Sequence, residues 1–228
     1  MTIRLLLIFL LFPLTLLGKS PNIKDGNCRN CDFTGQRMVH VRAVGADLEG
    51  STFFKATLTG ANLAKANLRK TDFTKALLRS ANLKKAQFQE ADLTKANLTD
   101  AQATEAIFDR AQMKQVIFNG GVLLRASLEG AQLERAKFRR ADLREVDLEG
   151  AMLYGAELQA ADLRGANLKG AILYEADMEG ANLSQAQLQG AILYKAKLLN
   201  ADLEGADLSG ARWIDGRQCA LESIGQCN

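Results

Sequence analysis

The stretch "AILYEADMEGANLSQAQLQGAILYKA", Ala171 to Ala196, contains one phrase twice. Ala-Ile-Leu-Tyr opens at 171 and returns at 191, and a variant, Ala-Met-Leu-Tyr, stands at 151. The three tyrosines of the chain, Tyr154, Tyr174 and Tyr194, are therefore 20 residues apart. A shorter period lies inside the long one. Leu48, Phe53, Leu58, Leu63, Leu68 and Phe73 fall at intervals of five, and the series runs unbroken to Leu208 and Trp213. That makes 34 central positions, (213 − 48)/5 + 1, all Leu, Phe or Met except Ala103 and Trp213. Two residues before each centre stands Ala in 29 cases, the exceptions being Ser51, Thr71, Val116, Gly121 and Val146.

Neither standard period accommodates this spacing. Five residues turn an α-helix by about 500°, so successive leucines would spread around it. In a continuous strand an odd step sends every second leucine to the opposite face. The pattern is consistent only if the chain turns a corner every five residues. Ala then points in, the next residue out, Leu in, and two residues make the corner. Gly and Lys fill many corner positions, and Gly tolerates the positive φ that tight turns require. The 20-residue echo counts four sides to a coil. Phe53/Phe73, Phe88/Phe108 and Phe118/Phe138, each 20 apart, should stack on neighbouring coils. The chain reads as a square solenoid of 34/4 = 8.5 coils. At roughly 4.8 Å per coil the rod is on the order of 40 Å long.

The pattern resembles the pentapeptide-repeat family, whose consensus is Ala-(Asp/Asn)-Leu-x-x, over residues 46–213. The resemblance implies an all-β fold, a right-handed quadrilateral β-helix of about eight to nine coils. "CDFTG" at 31–35 looks like an earlier repeat in the same phase, and 21–45 reads as a degenerate first coil capping the open end. Residues 214–228 read as a C-terminal cap loop.

Residues 1–20 stand apart. Leu5 to Leu17 is a thirteen-residue apolar run containing Pro13, after "MTIR". A membrane helix needs about twenty residues, so the run fits a secretory signal peptide, with an uncleaved anchor as the alternative. Either reading puts the rod outside the cytoplasm, in a periplasm or a thylakoid lumen, with no stable membrane span after cleavage. The four cysteines form two terminal groups, Cys28/Cys31 and Cys219/Cys227. A disulfide needs Cα atoms within about 7 Å, so a long rod allows only local pairing. The tail also resembles the Cys-containing tails of exported members of the family. A CxxC metal or redox site at 28–31 is the competing reading, but no second ligand pair accompanies it.

No catalytic constellation, cofactor motif or metal-ligand set stands out, and His40 is the single histidine. Asp142, Asp162 and Asp202 share one side at outward repeat positions, where solvation suffices to explain them. A carbohydrate-binding or polysaccharide-acting β-helix is the alternative reading of that side. The net charge of +3 is unevenly placed: residues 51–140 hold 16 Lys/Arg and 8 Asp/Glu, and residues 141–228 hold 7 and 14. Some cytoplasmic members of the family mimic duplex DNA and bind DNA gyrase, which calls for an acidic rod. The basic first half and the signal segment argue against that role. Nucleic-acid binding by Lys65, Lys70, Lys84 and Lys85 is electrostatically feasible, but the signal segment and the absence of interleaved aromatics argue against it.

Each tyrosine follows its central Leu and should point outward. The outward residues before those centres are Met152, Ile172 and Ile192, and Ile214 follows on the next coil. Stacked tyrosines could be a ladder worth about 0.2–1 kcal/mol per pair. Outward Met and Ile fit a contact surface better. The expectation is a non-enzymatic exported scaffold that binds a protein partner, or a second copy, through Met152, Tyr154, Ile172, Tyr174, Ile192, Tyr194 and Ile214.

Ala103 is the thin spot of the central column, and Phe88, Phe108 and Phe118 are expected to fill it. Ala103→Leu should therefore overpack the core and destabilise by about 1–3 kcal/mol. A raised melting temperature in that variant would contradict the expectation.

Overall fold

The structure, a computed structural model, describes residues 27–228. The proposed signal segment, 1–20, and residues 21–26 lie outside the described residues. The chain winds as a right-handed quadrilateral β-helix. Residue i pairs in parallel with residue i+20, from Asn27 with Asp47 to Ile192 with Arg212. Each side contributes a single paired residue, the one between Ala and Leu, so there are bridges and no long strands. That residue's carbonyl and amide both bond the preceding coil, on either side of its bridge partner: Leu63 N donates to Asn82 O at 2.8 Å, and Asn82 N donates to Ala61 O at 2.8 Å.

The corner explains the five-residue period. Ala56 N donates back to Phe53 O at 2.9 Å, closing a turn whose second corner residue, Lys55, has φ 55°. The same left-handed conformation recurs at the second corner residue of side after side, from Asn30 to Gly210. Many of these residues are Lys, Arg, Glu or Gln rather than Gly. None from residue 30 to residue 210 is Val, Ile or Thr, whose branched Cβ is the most strained at positive φ. At the first corner residue an Asp or Asn two positions earlier often takes the amide, as in Thr74 N to Asp72 Oδ1 at 2.8 Å.

Side 1 carries the central residues Phe33, Phe53 and Phe73 and, later, Leu153, Leu173 and Leu193. Side 2 carries Leu58, Phe118 and Phe138; side 3 carries Leu63 and Ala103; side 4 carries Leu48, Phe88 and Phe108. The Ala and Leu columns are almost completely buried and form one continuous core. The three expected phenylalanine pairs stack, with ring centroids 4.5 Å apart for Phe53/Phe73, 4.8 Å for Phe88/Phe108 and 6.0 Å for Phe118/Phe138. Residues 27–45 keep the register, with Cys28, Phe33, Met38 and Ala43 as centres. The helix therefore has 38 sides from 28 to 213, (213 − 28)/5 + 1, or nine and a half coils. Eight and a half of these coils, from Leu48 to Trp213, follow the repeat series, and the first four sides, which lack the Ala-x-Leu signature, add one more.

Two departures from the Ala column have local causes. Cys28 and Cys31 form a disulfide across the first corner, with Cα atoms 5.6 Å apart. The regular turn bond is replaced there by the buried Ser51 hydroxyl, which donates to Cys28 O at 2.7 Å and accepts from Cys31 N at 3.0 Å. Gly121 is a steric requirement and not a conformational one. A Cβ placed on it would meet Phe118 Cδ1, lie 2.7 Å from Cε1, and lie 3.2 Å from Ala101 O. The Phe118 ring occupies the space of the missing methyl and meets Phe108 edge-on at 6.3 Å.

At the far end the chain reverses. Ile224 pairs antiparallel with Asp207, and Gln218 with Arg212, so the tail lies on two sides of the last coil. A second disulfide, Cys219–Cys227, closes this loop with Cα atoms 4.9 Å apart and is buried. The tail supplies partners to edges that would otherwise be open to pairing with another chain.

Gly121→Ala should destabilise the protein by about 1–3 kcal/mol. Adding Phe118→Leu should relieve the clash, so the double variant loses less than the two single losses combined. Thermal denaturation of the four proteins checks this, and strict additivity would contradict it.

Candidate interaction surface

The corner between sides 1 and 2 holds the tyrosine column. Tyr154, Tyr174 and Tyr194 occupy the first corner position on successive coils, where the side chain leaves the core. Stacking of coils brings the rings together. Tyr154 and Tyr174 are parallel with centroids 5.4 Å apart, and Tyr174 and Tyr194 are tilted at 5.7 Å. The edges of the column are polar and occupied. Tyr154 donates its hydroxyl to Glu175 at 3.2 Å, and the Lys195 ammonium donates to the Tyr174 hydroxyl at 3.0 Å. Hydrogen bonding to Tyr174 raises the Lys195 ammonium above its ordinary value. Lys195 also lies over the Tyr174 and Tyr194 rings, and the Arg212 guanidinium lies 5.3 Å from the Tyr194 centroid. Gly216 in the tail lets the chain pass flat against Tyr194, since a Cβ there would sit 3.3 Å from its Cε2.

Beside the rings runs the second column. Met152 pairs with Ile172 and Ile172 with Ile192, so the three apolar side chains form their own ladder. Met152, Tyr154 and Ile214 are each 36% exposed, while Ile172, Tyr174, Ile192 and Tyr194 are half-buried by their neighbours. The structure thus places all seven candidate residues on one side and one corner of the last four coils. Other exposed apolar groups went unanticipated. Leu221 is 83% exposed, Leu199 65% and Ile224 51%. Leu221 and Ile224 belong to the tail, where no repeat phase tells which way a side chain faces.

The carboxylates on side 3 have a structural occupation. Arg144 grips Asp142 through two bonds of 2.8 and 2.7 Å, and Arg164 grips Asp162 through two of 2.8 and 2.6 Å. These guanidiniums hold both carboxyls below the usual carboxylate range. Glycoside hydrolysis by a carboxyl pair needs one partner held protonated, which is the opposite shift. Among the described residues no group of three or more His, Cys, Asp or Glu is placed to hold a metal ion.

The sequence pattern that defines the pentapeptide repeats matches residues 56–94, 81–120, 131–170 and 171–210, in eight copies. The chain belongs to the pentapeptide-repeat family. No curated protein matches it. Among solved structures it is similar to HetL, a pentapeptide repeat protein involved in heterocyst differentiation regulation from the cyanobacterium Nostoc sp. strain PCC 7120. The identity is 32% over 85% of this chain and 93% of that one, with a TM-score of 0.39. A trypsin-treated form of QnrB1, a plasmid-mediated fluoroquinolone resistance protein, is 22% identical over 83% of this chain and 92% of its own, with a TM-score of 0.50. A pentapeptide repeat protein from the Arabidopsis thaliana thylakoid lumen is 30% identical over 46% of this chain and 70% of its own, with a TM-score of 0.35. Pentapeptide-repeat proteins are in general structural or interaction modules, and among the described residues of this one no helix is long and apolar enough to cross a membrane.

Proposed function

We propose that this pentapeptide-repeat protein is a non-enzymatic exported scaffold that binds a protein partner through the Met152–Ile192 and Tyr154–Tyr194 columns, extended by Ile214. The observation that carries the reading is the pairing of the two ladders. The tyrosine stack alone has an internal explanation, because the rings stack on one another and two of the hydroxyls are bonded to Glu175 and Lys195. Met152, Ile172 and Ile192 have none, since their column is polar on the earlier coils, as at Asp92, Gln112 and Gln132. A contiguous apolar strip rimmed by Glu175, Lys195 and Arg212 is the composition of an interface, with aromatic and Arg anchors and a charged border.

Export is supported by the apolar run at 5–17 and by the two disulfides, which persist in oxidising compartments. The thylakoid-lumen relative is consistent with one such compartment. A gyrase-directed DNA mimic is disfavoured by the excess of Lys and Arg over residues 51–140.

A second copy of the chain is the partner that can be tested directly. Light scattering on residues 21–228 should give the mass of a dimer, and Ile172→Glu/Tyr174→Glu should give a monomer of similar melting temperature. Two monomers of equal stability would leave the surface to a different protein. Two monomers with the variant clearly less stable would make the columns an internal ladder and overturn the reading.

A further inference from the structure

A second surface lies at the other end of the rod, on side 2. The segments 54–59, 74–79, 94–99 and 114–119 form this side, the whole corner before it and the first residue of the corner after it over four consecutive coils; they contain no Asp or Glu, and the last residue of the later corner is acidic once, at Asp100. Their cations are Lys55, Lys75, Arg79, Lys95 and Lys114. Lys114 pairs with Glu134 at 3.3 Å. Lys55, Lys75, Arg79 and Lys95 are exposed and, among the described residues, make no ion pair. Between the two corners the floor is neutral: Thr57, Leu77, Asn97 and Ile117, with Leu77 42% exposed.

The geometry is a line rather than a patch. Lys55, Lys75 and Lys95 hold the same left-handed corner position on successive coils, with φ 55°, 59° and 59°. Their Cα atoms therefore repeat at the coil spacing of roughly 4.8 Å along the rod axis. The line leads into an open groove of about 620 Å³ lined by Lys95, Gln115, Ile117, Arg135, Lys137 and Tyr154, among others. Arg135 also lacks an ion pair among the described residues, while the two groove carboxylates are engaged, Glu157 by Lys137 and Arg139 and Glu175 by Lys195. From Lys55 to Arg135 the track spans four coil steps, on the order of 19 Å.

We infer that side 2 of the basic half binds a linear acidic polysaccharide, with its anionic groups on the Lys55–Lys75–Lys95–Arg135 track. A polymer with one carboxylate per sugar ring offers a regular single-file charge that can follow the edge of the rod. Single-stranded nucleic acid looks for successive aromatic platforms, and over the four coils of the lysine line the outward aromatic is Phe54, which already lies under Lys55 at 5.0 Å and Lys75 at 5.9 Å; Tyr154 is met only at the far end of the groove. The preference for a polysaccharide also rests on the exported reading, and the track shares the corner between sides 1 and 2 with the tyrosine column, ending beside Tyr154.

The test is fluorescence anisotropy with a labelled polygalacturonate oligomer, a neutral dextran and a single-stranded oligonucleotide of equal charge. The protein should bind polygalacturonate and not dextran, with affinity falling steeply as salt rises. Lys75→Glu/Lys95→Glu should weaken binding at least about tenfold, and Lys65→Glu/Lys70→Glu, on corners away from side 2, no more than about twofold. Both variants should fold, since Glu90, Glu105, Glu145 and Glu175 already occupy this corner position at positive φ. Ile214→Glu, at the end of the tyrosine column away from the groove, should bind polygalacturonate as the native protein does, whatever its oligomeric state. No binding at low salt, equal losses in both lysine variants, or tighter binding of the oligonucleotide would overturn the proposal.

Discussion

Every second corner residue of this solenoid must hold a left-handed backbone, and the rest of the structure depends on that constraint. For an L-residue with a Cβ the conformation is costly, and single residues adopt it only when the surroundings fix them. Here the surroundings are the turn bond from the Ala amide to the preceding Leu carbonyl, the bridges to the coils above and below, and a fully buried Leu. Small Ala packs inside the corner, where a larger group meets a neighbour, as Gly121 and Phe118 demonstrate. Much of the charge asymmetry has the same origin. In the first half the corner is filled by residues such as Lys55, Lys75, Lys95, Arg110 and Arg135. In the second it is more often Gly, as at Gly150, Gly170, Gly190 and Gly210. Glycine carries no cation, so the Asp and Glu of the later coils are less balanced.

The same geometry turns sequence repetition into surface. A residue type repeated every 20 positions becomes a continuous stripe with its members about one coil apart. Tyr154, Tyr174 and Tyr194 give an aromatic stripe, Met152, Ile172 and Ile192 an apolar one, and Lys55, Lys75 and Lys95 a cationic one. The chain offers these stripes on a rigid support whose described carboxyls, where their titration is displaced, are displaced downward. Such carboxylates stay charged and serve as ion-pair and turn acceptors. The surface is suited to recognition of extended or flat partners rather than to proton transfer.

The repeating part of the architecture was legible because its signals are periodic. Leu every five residues sets the sides, and Tyr and Phe every 20 set the coils; the outward direction of Tyr174 follows from its place after Leu173. What was not legible depends on the orientation of individual groups. That Gly121 is empty because the Phe118 ring fills its place is a matter of rotamer. That Ser51 replaces Ala because a disulfide alters the turn before it needs two coils in view. The hydrogen bonds from Tyr154 to Glu175 and from Lys195 to Tyr174 join residues 21 apart, a separation no single repeat unit contains. Leu221 and Ile224 lie beyond the last regular side, where periodicity gives no guidance.

The most direct measurement of the corner-every-five account is residue-resolved amide hydrogen exchange. Leu124, Tyr154, Tyr174 and Tyr194, as first corner residues, donate to no main-chain carbonyl, whereas the flanking amides of Leu153 and Gly155 bond to Ile172 O and Tyr174 O on the next coil. The account predicts protection that breaks at every fifth residue along the whole helix, with exchange fastest at these first corner positions. Unbroken protection across ten or more successive residues, as a long strand or a helix would give, would contradict it.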